Sequence, residues 1–368
     1  MQNYKLDFKN GNFRILQFAD IQEQHRINPN TVNLMNACLD SVKPDLVVLS
    51  GDQIKGYALD LKGRHGKQRA VTLIRRICNP MIERGIPFTA TFGNHDSECG
   101  ISNAEQFEIY KQLPGFVWDT GPGEGDEGTF CLEIGESFLI YLFDSHAKDG
   151  KGGFGAVHPN QIEWYKSVRD KYESIRGEVV PSLAFQHIPT PEFFEVIKKT
   201  HPFSSKSIRA YGDHKNQWYE LDPFNSGLRD FMGEAPATSF VNSGEIEAFL
   251  EKKDVKALFV GHDHNNSFTA AYGDIMLCFT QGCSFSAYGP GLNRGARYID
   301  LKPNGQFTTR TVTYRELLGT QVEKKLTYAL YEISPISIAG TVTALRESAI
   351  VLGIAGSAAA IYKAIKKK

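Results

Sequence analysis

Five short polar segments constrain the fold more than any other feature of the chain: Asp20-Ile21-Gln22, Gly51-Asp52, Gly93-Asn94-His95-Asp96, Gln186-His187 and Gly261-His262-Asp263-His264. Four of them follow an apolar run of β character, at 13–18, 46–49, 182–185 and 257–260, and the remaining one follows a weaker run at 87–92. Strand ends in α/β sheets are where ligands collect, because side chains from separate strands converge there on rigid supports. Helical patterns over 30–41 and 66–84 alternate with these runs, the second stopping near Gly85 as helices commonly do. The expectation is an α/β layered fold with one polar site built from distant segments.

The residue types narrow the chemistry. Asp20, Gln22, Asp52, Asn94, His187, His262 and His264 make seven candidate metal ligands, too many for one ion. Hard oxygens mixed with imidazole suit Mn, Fe or Zn, whereas an all-oxygen set would suit Mg or Ca and an all-thiolate set structural Zn. Two cations bridged by Asp52, roughly 3.5–4 Å apart as in other two-metal hydrolytic sites, use the set sensibly. Taken singly the pieces are weaker, since Gly51-Asp52 and Gly93-Asn94 are ordinary turn dipeptides. Two imidazoles flanking one residue at a strand end, as in Gly261-His262-Asp263-His264, are less easily explained by structure alone.

In this order the segments resemble the calcineurin-like metallophosphoesterase superfamily, whose pattern reads D-x-H, G-D, G-N-H-[DE], H, G-H-x-H. The resemblance spans about residues 13–301, with four blocks intact and Gln22 in place of the His of the first. Further text, Phe143-Asp144-Ser145-His146, Gln161 to Tyr165, Asn242-Ser243-Gly244 and Ala287-Tyr288-Gly289 through Arg297, is similar to the purple-acid-phosphatase-like branch of plants and fungi and its bacterial relatives. Lys55 stands where a purple Fe(III) centre has its Tyr, which argues against that centre.

The resemblance implies a four-layer α/β/β/α sandwich of two mixed sheets flanked by helices. It places Asp20, Gln22 and His264 on one metal, Asn94, His187 and His262 on the other, and Asp52 between them. His95 becomes the proton donor, with Asp96 either orienting the imidazole or fixing its loop. Two divalent cations would lower the pKa of a water and clamp phosphate oxygens, and His95 would protonate the leaving alkoxide. An amide oxygen is a weaker donor than imidazole, so the site holding Gln22 is expected to be looser or to choose a harder ion.

Other polar residues are candidates for substrate contact. His25 follows Gln22 by three residues and either lines the pocket or is a surface histidine. Asp144 and His146 end an apolar run at 138–143 and either rim the site or cap the next loop. Tyr288, Arg294 and Arg297 lie in a Gly-rich stretch, where an Arg would fork onto phosphate oxygens or form a surface ion pair.

Composition sets the remaining bounds. With 41 basic and 42 acidic residues the net charge is −1, so no basic field favours a nucleic acid, and small or protein-borne phosphates are preferred as substrates. The six cysteines form no CxxC pair, and the first ten residues have no apolar core of a secretory signal, so cytoplasmic residence is the default expectation. The segment 121–128 is a Gly-rich loop without the Lys-Ser/Thr of a P-loop, and 200–240 reads as an aperiodic insertion placed to cover the site and select substrates.

Residues 1–318 are read as the catalytic domain and 319–368 as a tail. The tail's uncharged run at 348–362 is shorter than the roughly 20 residues needed to span a bilayer, and lysines follow it. Its apolar helical stripe would pack on the catalytic domain, lie on a membrane surface as a peripheral anchor or mediate association, or, least favoured by its length and the lysines after it, span the bilayer. The function expected is hydrolysis of phosphate monoesters. A phosphodiesterase on cyclic or nucleotide substrates is the alternative, and a catalytically weak metal-binding scaffold is the reading from a different class.

Overall fold

The computed structural model describes residues 4–119, 125, 127–222, 227, 230–326 and 328–329. Contacts divide the chain into Met1–Glu323 and Lys324–Lys368, and the first unit carries everything described below. The expected tail helix at 348–362 and much of the 121–128 loop lie outside the described residues. No helix among the described residues is long and apolar enough to cross a membrane.

Two mixed sheets form the centre. In the first, Phe13–Phe18 pairs in parallel with Leu46–Ser50, which pairs in parallel with Phe88–Thr91. Gly295–Leu301 and Phe307–Thr313 extend its other side antiparallel. In the second, Val255–Val260 lies parallel between Ser182–Phe185 and Ile275–Phe279, with Phe138–Leu142 parallel to Ser182–Phe185. Phe130–Ile134 and Thr269–Tyr272 close its edges antiparallel. Leu46–Ser50, Phe138–Leu142 and Ser182–Phe185 are buried at every residue, as strands covered on both faces must be.

Helices supply the outer layers, giving the α/β/β/α sandwich expected from the sequence. Pro29–Val42 starts where the Asn28 side chain accepts the Asn30 N–H and Pro29 pre-sets the first turn, and it buries Leu34, Met35, Cys38, Leu39 and Val42 on one face. Pro159–Arg176 ends at Gly177, whose φ of 76° is the left-handed cap that glycine adopts freely. That helix and Glu245–Lys252 cover the second sheet, where Tyr141, Phe143, Tyr165 and Phe249 stack edge-to-face or tilted.

The sheets are stitched by buried polar groups near the site. The Gln17 amide donates to Ser50 Oγ at 2.8 Å, and Gln17 Oε1 accepts the Thr280 hydroxyl at 2.6 Å. Arg297 is buried and donates to Phe279 O and Thr280 Oγ, so it is a brace between sheets and not the phosphate-binding Arg that sequence allowed. At and within the 200–240 insertion, Lys198–Thr200, Ile208–Arg209 and Trp218–Glu220 form a small antiparallel sheet of their own, and Phe231–Met232 pairs separately with Asn266–Ser267. All six cysteines are buried and unpaired.

Candidate metal centre

Each of the five parallel strands Phe13–Phe18, Leu46–Ser50, Phe88–Thr91, Ser182–Phe185 and Val255–Val260 hands its chain to one polar segment at its carboxyl end. The backbone there is forced into uncommon conformations. Asp20, Gln22, Asp52 and His262 have φ of 52°, 35°, 51° and 73°, a region non-glycine residues enter at a cost that function tends to explain. Two glycines of the motifs are needed for close approach. A Cβ on Gly51 would sit 2.6 Å from the His187 ring, and one on Gly93 would sit 2.2 Å from Asp52 Oδ1.

The convergence is tight. Asp20, Asp52 and His187 offer ligand atoms that all lie within 4.8 Å of one another, and all three are buried. His187 Nε2 faces Asp52 Oδ2 at 3.4 Å and Asp20 Oδ1 at 3.8 Å, while His264 Nε2 faces Asp20 Oδ1 at 3.3 Å. Gln22 Nε2 donates to Asp52 Oδ2 at 3.2 Å, which leaves the Gln22 carbonyl oxygen over.

Buried polar atoms ordinarily find partners, so exceptions ask for an explanation. Asp20 Oδ1, Gln22 Oε1, Asn94 Oδ1, His187 Nε2 and His262 Nε2 are all buried without a hydrogen-bond partner. These are lone-pair atoms from four of the five segments, and they are the atoms a metal pair would use. The surroundings also fix which ring nitrogen is free. His187 Nδ1 lies 3.1 Å from Ser50 O and His264 Nδ1 lies 2.8 Å from Tyr288 O, so each Nδ1–H donates to a carbonyl and each Nε2 keeps its lone pair. The mixed oxygen and imidazole set therefore fits divalent cations of the Mn, Fe and Zn kind.

Electrostatics follow from the crowding. Burial pushes the Asp52 carboxyl up, but His187 and His95 outweigh it and hold Asp52 below the usual carboxylate range. Burial pushes His187 down, but Asp52 and Asp20 outweigh it and lift its pKa to about 10. His262 is depressed by burial and by its neighbour His187. The crowding of Asp52 and Asp20 around His187 therefore favours positive charge at this point, which a divalent cation would supply.

His95 stands at the rim, half-buried, with its backbone N–H donated to Asp52 Oδ1 at 2.8 Å. Its Nδ1 lies 2.7 Å from Glu98 Oε2, and the Tyr57 ring packs edge-on at 4.7 Å between centroids. Asp96, expected as a catalytic residue, is fully buried and accepts the backbone N–H groups of Asp52, Ile54 and Gly93. It is the anchor of two motif loops, and the partner of His95 is Glu98, one helical turn on. A carboxylate three residues after a rim histidine was the signal available in the sequence.

The remaining substrate candidates fall elsewhere. Arg294 is fully buried and donates to Ser284 O, Ala287 O and Gly291 O, which makes it the brace of its own loop and corrects the expectation of phosphate contact. Tyr288 stacks flat on His264 at 4.2 Å, and its hydroxyl donates to Glu234 Oε2, so it positions a ligand. His146 pairs with Gln161 and stacks on His158 at 3.8 Å, in a separate cavity of about 370 Å³ that also holds Asp144 and Asn103. His25 is half-buried, and its Nδ1 has no hydrogen-bond partner.

The comparisons with known proteins agree with this geometry. The model of the calcineurin-like phosphoesterase family matches residues 13–266. Probable inactive purple acid phosphatase 28 of Arabidopsis thaliana is 28% identical over 344 aligned residues, covering 82% of this chain and 78% of its own. Phosphatase DCR2 of Saccharomyces cerevisiae is 26% identical over 309, covering 74% of this chain and 48% of its own. Among solved structures, a dimetal phosphatase from Danio rerio shares the fold with a TM-score of 0.50 at 12% identity, over 82% of this chain and 99% of that one.

Proposed function

The chain belongs to the calcineurin-like phosphoesterase family, and on that ground we propose that it hydrolyses phosphate monoesters carried by proteins or small metabolites. The observation that carries the reading is the set of buried, unpartnered lone-pair atoms on Asp20, Gln22, Asn94, His187 and His262. Asp20, Gln22 and His264 would hold one divalent cation, Asn94, His187 and His262 the other, and Asp52 would lie between them. When bound, such cations neutralise charge on phosphate oxygens and make a water acidic enough to ionise near neutral pH.

The chain's own groups do the rest. Ser50 O and Tyr288 O hold the His187 and His264 rings by their Nδ1–H groups, which fixes the tautomers. Glu98 holds Nδ1 of His95, so the proton available to a leaving alkoxide is the one on Nε2. Near-zero net charge supplies no attraction for a polyanion, which favours small or peptide-borne esters over nucleic acid. The scaffold reading draws on Gln22 and on the word inactive in the name of the Arabidopsis relative. The intact His95–Glu98 pair weighs against it, because a scaffold has no use for an oriented acid.

The test is a screen of metal-depleted protein reloaded with Mn, Zn or Fe against p-nitrophenyl mono- and diesters. Metal-dependent turnover with the monoester faster supports the proposal, a faster diester reverses the substrate class, and two bound metals with no turnover on either sinks it.

Gln22 gives a separate expectation. Replacing its amide by imidazole in Gln22→His should tighten the weaker of two Zn sites by about 10- to 100-fold, the scale on which changes around metal ligands act. Titration of the metal-free protein reads this directly. Equal weak-site affinity in wild type, Gln22→His and Gln22→Ala would remove Gln22 from the ligand set.

A further inference from the structure

With Arg294 and Arg297 committed as braces, a different cation stands beside the metal centre. The ring of Phe154 packs edge-on against the His262 ring, 4.3 Å between centroids. Phe154 is half-buried, and the ammonium of Lys148 lies 4.6 Å over the centre of its ring. Two contacts thus link an exposed lysine to a candidate metal ligand. Among the described residues no carboxylate pairs with Lys148.

The loop that carries the pair is fastened at several points. Lys148 and Phe154 face each other across an antiparallel bridge. Between them, Asp149 Oδ1 accepts the backbone N–H groups of Lys151 at 2.7 Å and Gly153 at 2.9 Å. Its Oδ2 accepts the Phe240 N–H at 2.9 Å and the Ser239 hydroxyl at 3.3 Å. The acid next to Lys148 is therefore spent on tying the loop to the 200–240 insertion. Gly153 permits the approach, since a Cβ there would sit 2.8 Å from Phe240 N. Lys55, which reaches over the Tyr57 ring beside His95, instead donates to Ser286 O at 2.6 Å.

We propose that Lys148, seated on Phe154, is a specificity-determining residue that binds a second anionic group of the substrate, a carboxylate or a further phosphate. The inference rests on the phosphoesterase reading of the centre and adds a substrate class, small phosphate monoesters with a second anionic end. The scissile phosphate belongs to the metal centre, so a cation one ring beyond His262 is placed for a group further along the same molecule. An ammonium is a compact charge on a flexible stem, which suits an anion arriving at varied angles, whereas a planar guanidinium would ask for a bidentate pose. Its contact with the Phe154 face limits how far that stem strays from the centre. One such lysine on a chain of near-zero net charge gives a local preference without the broad field that draws polyanions.

The test reads binding and not turnover, by calorimetry on the full chain given two equivalents of Zn²⁺. Three non-hydrolysable probes are compared: propylphosphonate, 3-phosphonopropionate and propane-1,3-diphosphonate. Wild type should bind at least one of the last two about three- to tenfold more tightly than propylphosphonate, the range between an exposed ion pair and a charge-assisted hydrogen bond. The tighter of the two names the second group as carboxylate or phosphate. Lys148→Met should bring the ratio to about one, Lys148→Glu should invert it, and Lys148→Arg should keep most of it. Lys151→Met removes another exposed lysine of the same loop and should keep the wild-type ratio. The proposal is overturned if no probe binds or if the wild-type ratio is about one. It is also overturned if the ratio persists in Lys148→Met, because the second group then sits on the cations, or if Lys151→Met loses it equally, because a diffuse field then produces it. A chain that hydrolyses monoesters but shows no ratio loses this inference alone. One that shows the Lys148-dependent ratio and hydrolyses nothing keeps the second-anion site and loses the catalytic reading.

Discussion

Asp52→Asn is expected to lower kcat/KM by at least about 10³-fold, since a metal centre supplies several kcal/mol of charge stabilisation and each 1.4 kcal/mol or so is a factor of ten. The substitution keeps shape and removes charge at the most connected atom pair of the site. Asp52 Oδ1 accepts the His95 backbone N–H, while Oδ2 receives the Gln22 amide and faces His187 Nε2 at 3.4 Å. An Asn at this position can accept from His95 with its oxygen, but its NH₂ then turns towards the Gln22 amide and towards His187. Cation binding should weaken together with turnover, so metal content by elemental analysis belongs in the same experiment as the kinetics. A folded Asp52→Asn protein with two metals and wild-type turnover would dispose of the dinuclear reading. The fold itself should survive, because the loops around Asp52 are anchored by Asp96 through three backbone amides that the substitution leaves alone.

What could be read in advance was what periodicity and strand ends encode. Phe13–Phe18, Leu46–Ser50, Ser182–Phe185 and Val255–Val260 are buried runs with a polar residue one or two positions beyond, and both features are local in the sequence. Arg294 and Arg297 were misjudged because arginine is so seldom buried that a Gly-rich loop suggested a surface role. Their guanidinium groups instead satisfy backbone carbonyls of a loop and of a strand end, Ala287 O and Phe279 O, a need visible only once the chain is folded. Lys148 and Phe154 are a harder case, since in the sequence they are an ordinary lysine and phenylalanine flanking a Gly-rich turn. Only the fold brings them to His262. The short strands of the 200–240 insertion were missed because two- and three-residue strands have no periodicity to detect.

His95→Ala should leave both metals bound and lower kcat on alkyl phosphates by about 10²–10⁴, the usual contribution of a positioned general acid. On p-nitrophenyl phosphate the deficit should shrink, because that leaving group needs little protonation. An equal deficit on both classes of substrate would mean that His95 acts on binding or on the cations, and not on the leaving group. Glu98→Gln separates positioning from simple structure. Burial lowers the proton affinity of His95, but Asp52 and then Glu98 more than compensate, so its pKa stands above the ordinary histidine value. Removing the Glu98 charge should lower that pKa while the amide still accepts the Nδ1–H. Activity that needs protonated His95 is lost as pH rises through its pKa, so the alkaline limb of kcat should move to lower pH in Glu98→Gln. A limb that stays in place while kcat falls would assign Glu98 to loop structure alone, and the oriented acid of the rim would then rest on His95 and the Tyr57 ring beside it.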